Sequence, residues 1–206
     1  MAMNMKQNPI AAYFDIVGGL GRRLEASDAA GAPLAIEPAL DWALAHAREA
    51  HEAGRKIIFV GNGGSASIAS HMAIDYSKNA GLRAIAFNDA AALTCLGNDV
   101  GYDNVFAKQV ELYGAAGDLL VAISSSGNSA NIVNAARAAR QGNIAVLTMS
   151  GFKPDNRLRK LGDVNFYVPN NLYGFVELSH LAICHAILDI ASGWQADGVM
   201  PRYMTA

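Results

Sequence analysis

Two short loops rich in glycine and serine carry the side chains best suited to bind an anion. The first is Gly-Asn-Gly-Gly-Ser at residues 61–65, and the second is Ser-Ser-Ser-Gly-Asn-Ser at residues 124–129. Each loop follows an apolar run that predicts a strand and precedes a pattern that predicts a helix. Glycine lets the backbone approach an anion closely, and the amides at a helix start point outward. Each loop could therefore bind a phosphate through neutral donors.

Each loop taken alone is also explained by ordinary turn and N-cap chemistry. Neither has the Gly-Lys-Ser/Thr ending of a Walker A motif, and neither is a dinucleotide fingerprint. Two such loops on consecutive strand–helix units of one sheet favour a phosphate site that does not bind a nucleotide. The residues predicted to bind substrate in these loops are Asn62, Gly63, Ser65, Ser124, Ser125, Ser126 and Ser129.

Carboxylates and imidazoles stand at helical spacing on two predicted helices. His71 and Asp75 are four residues apart after the first loop, so they share one helix face. The last helix offers Glu177, His180 and His185. By spacing alone, Glu177 and His180, which are three residues apart, are the easier pair to contact one ion. Glu177 and His185 are about 12 Å apart along a regular helix, too far to contact the same ion from a single such helix.

Short apolar runs alternate with helical patterns from Lys56 onward. Residues 57–60 form a continuous β-branched and aromatic run, which is typical of a strand buried on both faces. The alternation predicts parallel βαβ units and a three-layer α/β/α sandwich. Further strands are predicted at residues 83–87, 118–123, 143–149 and 164–168, and helices at 66–78, 102–113, 130–140, 156–161 and 174–192.

The first 55 residues predict two helices, at 9–26 and 36–53, joined by a loop of small residues. Neither helix carries a binding motif, so packing and oligomerisation are their expected roles. No repeat or linker divides the chain. We therefore expect a single domain over residues 1–206, with a helical pair at 1–55 and a binding core at 56–192.

Composition excludes several classes of protein. The 206 residues include 16 basic and 18 acidic side chains, a formal net charge of −2, which offers no basic surface for nucleic acid. Hydrophobic residues make up 52% and charged residues 17%, which excludes disorder. The first six residues lead into no signal-peptide core, and no stretch reaches the roughly 18 uninterrupted apolar residues typical of a membrane span. Two cysteines in apolar runs, Cys95 and Cys184, make no disulfide framework, so a cytoplasmic location is expected.

The two loops resemble the two signatures of the sugar isomerase (SIS) domain. Residues 90–106, with the run Cys-Leu-Gly-Asn-Asp-Val-Gly-Tyr at 95–102, are similar to a segment of the sedoheptulose-7-phosphate isomerase branch. This resemblance extends over residues 56–192 and includes the N-terminal helical pair. It implies a five-stranded parallel sheet between helices and a homotetramer with active sites at subunit interfaces. It also implies isomerisation of sedoheptulose 7-phosphate to D-glycero-D-manno-heptose 7-phosphate, a precursor for surface polysaccharides.

The same resemblance implies a zinc ion held by His71, Asp75, Glu177 and His185. For Glu177 and His185 to belong to this set, either the last helix begins irregularly, or the two come from neighbouring subunits, or only one of them is a ligand, with His180 in reserve. The family carries a glutamate in place of Asp75 and a glutamine in place of Glu177, so this chain has a shorter acid–base arm and one extra carboxylate. An aldose–ketose isomerase moves a proton between C1 and C2 through an enediol, which requires a base over the carbon and an acid or cation near the oxygen. Asp75, His185 and Glu177 are therefore the candidate catalytic residues. Asp99 is expected at the rim of the site, where it accepts hydrogen bonds from sugar hydroxyls, or else as a turn residue that caps its own backbone.

A second class of function has the same loops. The fold implied by the resemblance also serves as a sugar-phosphate sensor in regulators, and one relative of the heptose isomerases acts by binding a replication initiator protein. The loops do not separate these functions from catalysis, but the acid–base residues favour an enzyme. The family also carries an aspartate–arginine pair where this chain has Gly174 and Phe175, so fewer side chains here can contact sugar hydroxyls.

Overall fold

A seven-stranded mixed sheet forms the centre of the computed structural model, which describes residues 8–198 and 200. Its order is β2-β1-β7-β6-β5-β3-β4, and the five strands β3 to β7 are parallel to one another. Because β3 and β5 are adjacent, the loops that follow them lie at the same edge of the sheet. The strands are β1 (Glu25–Asp28), β2 (Pro33–Leu34), β3 (Ile57–Gly61), β4 (Ala84–Ala86), β5 (Leu119–Ser124), β6 (Ala145–Gly151) and β7 (Val164–Val168).

Helices cover both faces of this sheet. Alternate side chains of the strand β3 point to opposite faces of the sheet, so they pack in two separate cores. Ile57 and Phe59 pack with α2, α3 and α7 on one face, while Ile58 and Val60 pack with α5 and α6 on the other. The helices are α1 (Pro9–Gly19), α2 (Ile36–Glu52), α3 (Gly64–Ala80), α4 (Ala90–Asp99), α5 (Val105–Tyr113), α6 (Ala130–Gln141) and α7 (Tyr173–Ala191). The predicted three-layer α/β/α sandwich with a parallel sheet is thus confirmed.

The strand count and the N-terminal region correct the sequence prediction. The first helix was expected to reach residue 26, but α1 ends at Gly19 and the chain then extends as β1, antiparallel to β7. Closely spaced glycines at the end of α1 weaken helix propagation, and Ala26 gains a buried place against the sheet. The five predicted parallel strands are present, and β1 and β2 extend the sheet at one edge to make seven.

One helix was not predicted, and another begins later than predicted. Helix α4 was not predicted, although Asp89 gives it a side-chain N-cap that accepts a hydrogen bond from the Ala92 amide at 2.8 Å. The helix expected at residues 102–113 begins with a separate 3₁₀ turn, Tyr102–Asn104, before α5. Residues 1–7, for which the sequence predicts no signal segment, lie outside the part of the chain that the structure describes.

The last helix, α7, is long and apolar enough to cross a membrane by length and mean hydropathy alone. A core helix passes the same test, and α7 packs against α2, α3 and the sheet. It buries His180 and Ser179 as well as apolar side chains. We therefore interpret α7 as a core helix of this fold.

Candidate active site

The first loop connects β3 to α3 through residues that tolerate a very close turn. A side chain at Gly61 would run into the backbone of Ser65, so only glycine fits at the end of the strand. Gly63 has a φ of +54°, a backbone conformation that side chains disfavour, and α3 starts at the next residue. Ser65 is buried in the first turn of α3, where its amide donates to the Asn62 carbonyl at 3.0 Å.

The second loop connects β5 to α6 and brings several hydroxyls together. Ser124 ends the strand, and its hydroxyl lies 3.4 Å from that of Ser129, the residue before α6. Between them Gly127 has a φ of +64°, and its amide donates to the Ser124 carbonyl at 3.0 Å. The hydroxyl of Ser125 is buried and has no hydrogen-bond partner within the described residues. A buried hydroxyl without a partner is available to a ligand that enters the loop.

A pair of asparagines joins the two loops. The Asn62 side-chain amide donates to Asn131 Oδ1 at 2.9 Å, and the Asn131 amide donates back to Asn62 Oδ1 at 2.9 Å. The Tyr102 hydroxyl also donates to Asn62 Oδ1, at 3.2 Å. Asn131 lies in the first turn of α6 and is buried. This reciprocal pair fixes the first loop relative to the second, a role that the sequence analysis did not assign to Asn131.

The two loops line one cavity of about 250 Å³. Glu177 also lines it, and its carboxylate lies against Gly64, where a side chain at that glycine would overlap it. Tyr173, in the first turn of α7, contributes a wall that the sequence analysis missed. Among the cavity-lining residues that the structure describes, Glu177 carries the only acidic group and no basic side chain is present. The predicted substrate-binding residues that line this cavity are Asn62, Gly63, Ser65, Ser124, Ser125, Ser126 and Ser129.

A second group of polar side chains lies further along α3 and α7. His71, Asp75 and His185 each offer one metal-ligating atom, and these atoms all lie within 4.8 Å of one another. The Nε2 atom of His71 is 3.4 Å from Oδ2 of Asp75, and the rings of His71 and His185 meet edge to face with centroids 5.6 Å apart. Two ligands on a tetrahedral ion with bonds near 2.1 Å are separated by about 3.4 Å, which the His71–Asp75 distance matches. The three side chains are therefore a group that could hold a metal ion.

Glu177 does not join this group within one chain. Helix α7 is regular from Tyr173 to Ala191, so the eight residues from Glu177 to His185 span about 12 Å. Glu177 faces the cavity between the loops, whereas His185 meets His71 and Asp75. The described α7 therefore has no irregular start, and Glu177 and His185 of one chain cannot contact the same ion.

His180, the reserve ligand, belongs to the core. It is fully buried, and its Nε2 atom lies 3.2 Å from the Ser150 carbonyl oxygen. Burial lowers the pKa of His180 to about 4, so its imidazole is neutral near pH 7. A neutral imidazole beneath the sheet edge is a packing residue with one backbone hydrogen bond.

Asp99 contacts neighbouring side chains on its own helix, and Cys184 lies in the core. The Asp99 carboxylate accepts hydrogen bonds from the side chains of Asn98, at 2.9 Å, and Cys95, at 3.5 Å, at the end of α4. The structure does not place Asp99 among the residues that line the cavity. Cys184 is buried, and burial raises its pKa to about 12, as expected of a core thiol that is not a nucleophile.

Comparison with known proteins assigns this architecture. A family model described as the SIS domain matches residues 34–151. The phosphoheptose isomerase of Aliarcobacter butzleri (strain RM4018) is 40% identical over 143 residues, which are 66% of this chain and 75% of that protein. The solved phosphoheptose isomerase GmhA from Neisseria gonorrhoeae is 33% identical, with a TM-score of 0.77 over 90% of this chain and 98% of that one.

A more distant match shares the fold alone. The Vibrio vulnificus NanR protein, solved as a complex with ManNAc-6P, aligns with a TM-score of 0.64 and 18% sequence identity. The alignment covers 87% of this chain and 60% of that one.

Proposed function

Because this chain belongs to the SIS domain family and, within it, to the phosphoheptose isomerases, we propose that it interconverts sedoheptulose 7-phosphate and D-glycero-D-manno-heptose 7-phosphate. The observation that carries the proposal is that the same two helices, α3 and α7, hold both groups of polar residues. These helices pack against each other. Near their starts they line the cavity between the loops, in which the Glu177 carboxylate is the one charged group among the described lining residues. About 9 to 15 Å further along they hold the His–Asp–His group. An anion-binding cavity near acid–base residues is what a sugar-phosphate isomerase requires.

The phosphate is assigned to the cavity between the two loops. Its hydroxyls and the outward amides at the start of α3 and α6 are neutral donors, which hold a dianion without the strong ion pair that arginine would add. Asn62, held by Asn131, is positioned to bind a sugar hydroxyl near the phosphate. The residues proposed to bind the phosphate are Ser65, Ser124, Ser126 and Ser129, with Ser125 in support.

Proton transfer is assigned to the carboxylates and the imidazole. A base removes a proton from C1 of the ketose while an acid protonates the oxygen on C2, and the enediol then takes a proton at C2 as the C1 hydroxyl loses its own. Asp75, His185 and Glu177 are the groups proposed for these transfers. Asp75 is mostly buried beside His71, which keeps its carboxylate oriented.

Zinc is the metal proposed for the His71, Asp75 and His185 group, because two imidazoles and a carboxylate are a common catalytic donor set for this ion. When bound, the ion would supply Lewis-acid stabilisation of negative charge on a substrate oxygen. The imidazole of His71 and the Asp75 carboxylate would also hold each other in the orientation that binding requires.

We propose that the working enzyme is a cytoplasmic homotetramer of single-domain chains, with residues 1–55 serving oligomerisation. Helix α1 supports this proposal because none of its residues is buried within one chain, and Ile10 and Phe14 are each 67% exposed. An apolar groove between α1, α2 and α7 adjoins it and includes the exposed Leu178. A second copy that covers these surfaces would remove them from water. A partner subunit could also bring its own Glu177 or His185 to the site, since one chain keeps them apart.

The assembly is tested by its mass in solution. Light scattering on the purified chain is expected to give about four times the mass of one chain. A double substitution of Ile10 and Phe14 by serine is expected to yield smaller species, because it removes apolar surface available for contact. A wild-type chain that is monomeric at micromolar concentration would contradict the proposal.

The reaction itself is tested by incubating metal-replete protein with sedoheptulose 7-phosphate and following aldose formation by NMR. We expect conversion that a chelator abolishes and that added zinc restores. Conversion that persists after complete metal removal would support the proposed isomerase activity and contradict the proposed requirement for zinc. Binding of the compound without conversion would reject the isomerase and favour a sugar-phosphate sensor.

A further inference from the structure

We propose that Asn156 is a positioning residue for phosphate binding, which holds the serine loop of residues 124–129 in its binding shape. The inference rests on the proposed function, because it assumes that this loop binds the phosphate. Asn156 itself does not line the cavity in the described structure, and it is 2% exposed.

The side chain of Asn156 fills the space directly behind Gly127. A side chain at Gly127 would overlap the Asn156 amide, so the two residues are in close contact. The Gly127 carbonyl oxygen accepts a hydrogen bond from the Leu158 amide at 2.9 Å. Because Gly127 has a φ of +64°, its turn depends on such contacts to keep one conformation. Removal of the Asn156 side chain would leave a void against Gly127, the residue at which the loop turns.

Asn156 is itself held rigidly. Its Nδ2 atom lies within donating distance of the Lys153 carbonyl at 2.8 Å, the Ser150 hydroxyl at 3.2 Å and the Gly151 carbonyl at 3.3 Å. Its Oδ1 atom accepts from the Arg159 amide at 3.1 Å and so caps the 3₁₀ helix Arg157–Lys160. Both ends of the amide are thus engaged with backbone or with a buried hydroxyl, which leaves it no polar atom for a ligand.

The same segment holds the loop at a second point. The Arg157 amide donates to Asn128 Oδ1 at 3.1 Å, one residue beyond Gly127. Ser150 pairs with Ser124 across β5 and β6, so the Asn156 network also reaches the start of the loop through the sheet. The segment after β6 therefore holds the loop at Gly127 and Asn128 through two backbone amides of the 3₁₀ helix. Asn156 caps that helix and packs against Gly127, so it supports both contacts.

The substitution Asn156→Ala tests this role. We expect the Kd for inorganic phosphate and the KM for the sugar phosphate to rise about tenfold, while kcat changes by less than about threefold. Phosphate binding is measured by ³¹P NMR titration, which does not depend on turnover. Should the alanine variant fail to fold, Asn156→Ser keeps an oxygen near the cap, and its Kd is expected to rise by about threefold or more.

The matched control is Asn165→Ala. Asn165 is also fully buried and donates to the same Ser150 hydroxyl at 3.2 Å, and its other hydrogen bonds run to Thr148. Unlike Asn156, it does not cap the 3₁₀ helix that donates to the loop, and the atoms nearest to Gly127 belong to Asn156. Both variants are expected to lower Tm, and only Asn156→Ala is expected to weaken phosphate binding. Equal weakening in both variants, or an unchanged Kd in folded Asn156→Ala, would overturn the positioning role. Failure of the wild-type chain to bind inorganic phosphate would instead overturn the phosphate site of the proposed function.

Discussion

Replacement of His185 by alanine is expected to reduce turnover by about a hundredfold or more without unfolding the protein. The side chain is one of three whose ligating atoms lie within 4.8 Å of one another. Its loss therefore removes one of three candidate metal ligands as well as a proposed proton-transfer group. His185 is only partly buried, and alanine is favourable in the middle of α7, so the helix should persist. The measurements are kcat with sedoheptulose 7-phosphate, zinc content of the purified protein, and the circular dichroism spectrum.

The matched control is His46→Ala. His46 is also partly buried on a helix, where it stacks on Trp42 with ring centroids 3.9 Å apart and contacts the Trp42 carbonyl. It lies outside the described metal-ligand group, so its loss should leave turnover and zinc content near wild type. Wild-type turnover in folded His185→Ala would remove this residue from the mechanism.

The parallel core was predictable because its signals are local. Residues 57–60 are apolar without interruption, and the structure buries all of them, alternately in the two cores. The strand β1 was not predictable in this way, because Glu25 and its neighbours have no strand pattern of their own. They extend because they pair with β7, and Glu25 lies opposite Tyr167. A pairing partner so distant in sequence leaves no trace in a local pattern.

The candidate site also contains features that local sequence patterns predict and features that they do not. The loop residues and the His71–Asp75 pair were found from local spacing, since a loop and one helix face are properties of short segments. The Asn62–Asn131 pair and the contact between Asn156 and Gly127 join residues that are far apart in sequence, so no local pattern indicates either of them. The expected position of Asp99 at the rim remains a prediction, because its side chain here is occupied by neighbours on the same helix.

The departures from the family pattern also acquire a structural reason. Phe175 is buried, and Tyr13 of α1 stacks on it with ring centroids 4.6 Å apart. A side chain at Gly174 would meet the Tyr13 hydroxyl at 3.1 Å. The positions where the family carries a charged pair therefore anchor α1 in this chain, and they are not available to a sugar hydroxyl.

Replacement of Glu177 by alanine is expected to lower turnover by about a hundredfold or more, and Glu177→Gln is expected to lower it as far. The reason is that this chain has the shorter Asp75 where the resemblance implies a glutamate, so Glu177, which stands where the family carries glutamine, is the group expected to act as the base. It is the only carboxylate among the described residues that line the cavity. Glutamine keeps the size of the side chain and a hydrogen-bonding oxygen but cannot act as a base near pH 7. The measurement is kcat for both variants, with the circular dichroism spectrum as the control for folding, because Glu177 lines the cavity in which the phosphate is proposed to bind. A glutamine variant with near wild-type turnover would limit Glu177 to binding and leave proton transfer to Asp75 and His185.

The two inactive variants together locate the site in the assembly. If one active site takes Glu177 from one subunit and His185 from another, subunit exchange between Glu177→Ala and His185→Ala proteins creates sites with both residues intact. Random mixing at equal concentration then restores about a quarter of wild-type activity in a symmetric assembly. If each chain builds its own site, every site in the mixture still lacks one of the two residues, and activity stays at the level of the separate variants. We expect restoration, because a regular α7 keeps Glu177 and His185 about 12 Å apart, too far to act on the same two carbon atoms from one chain.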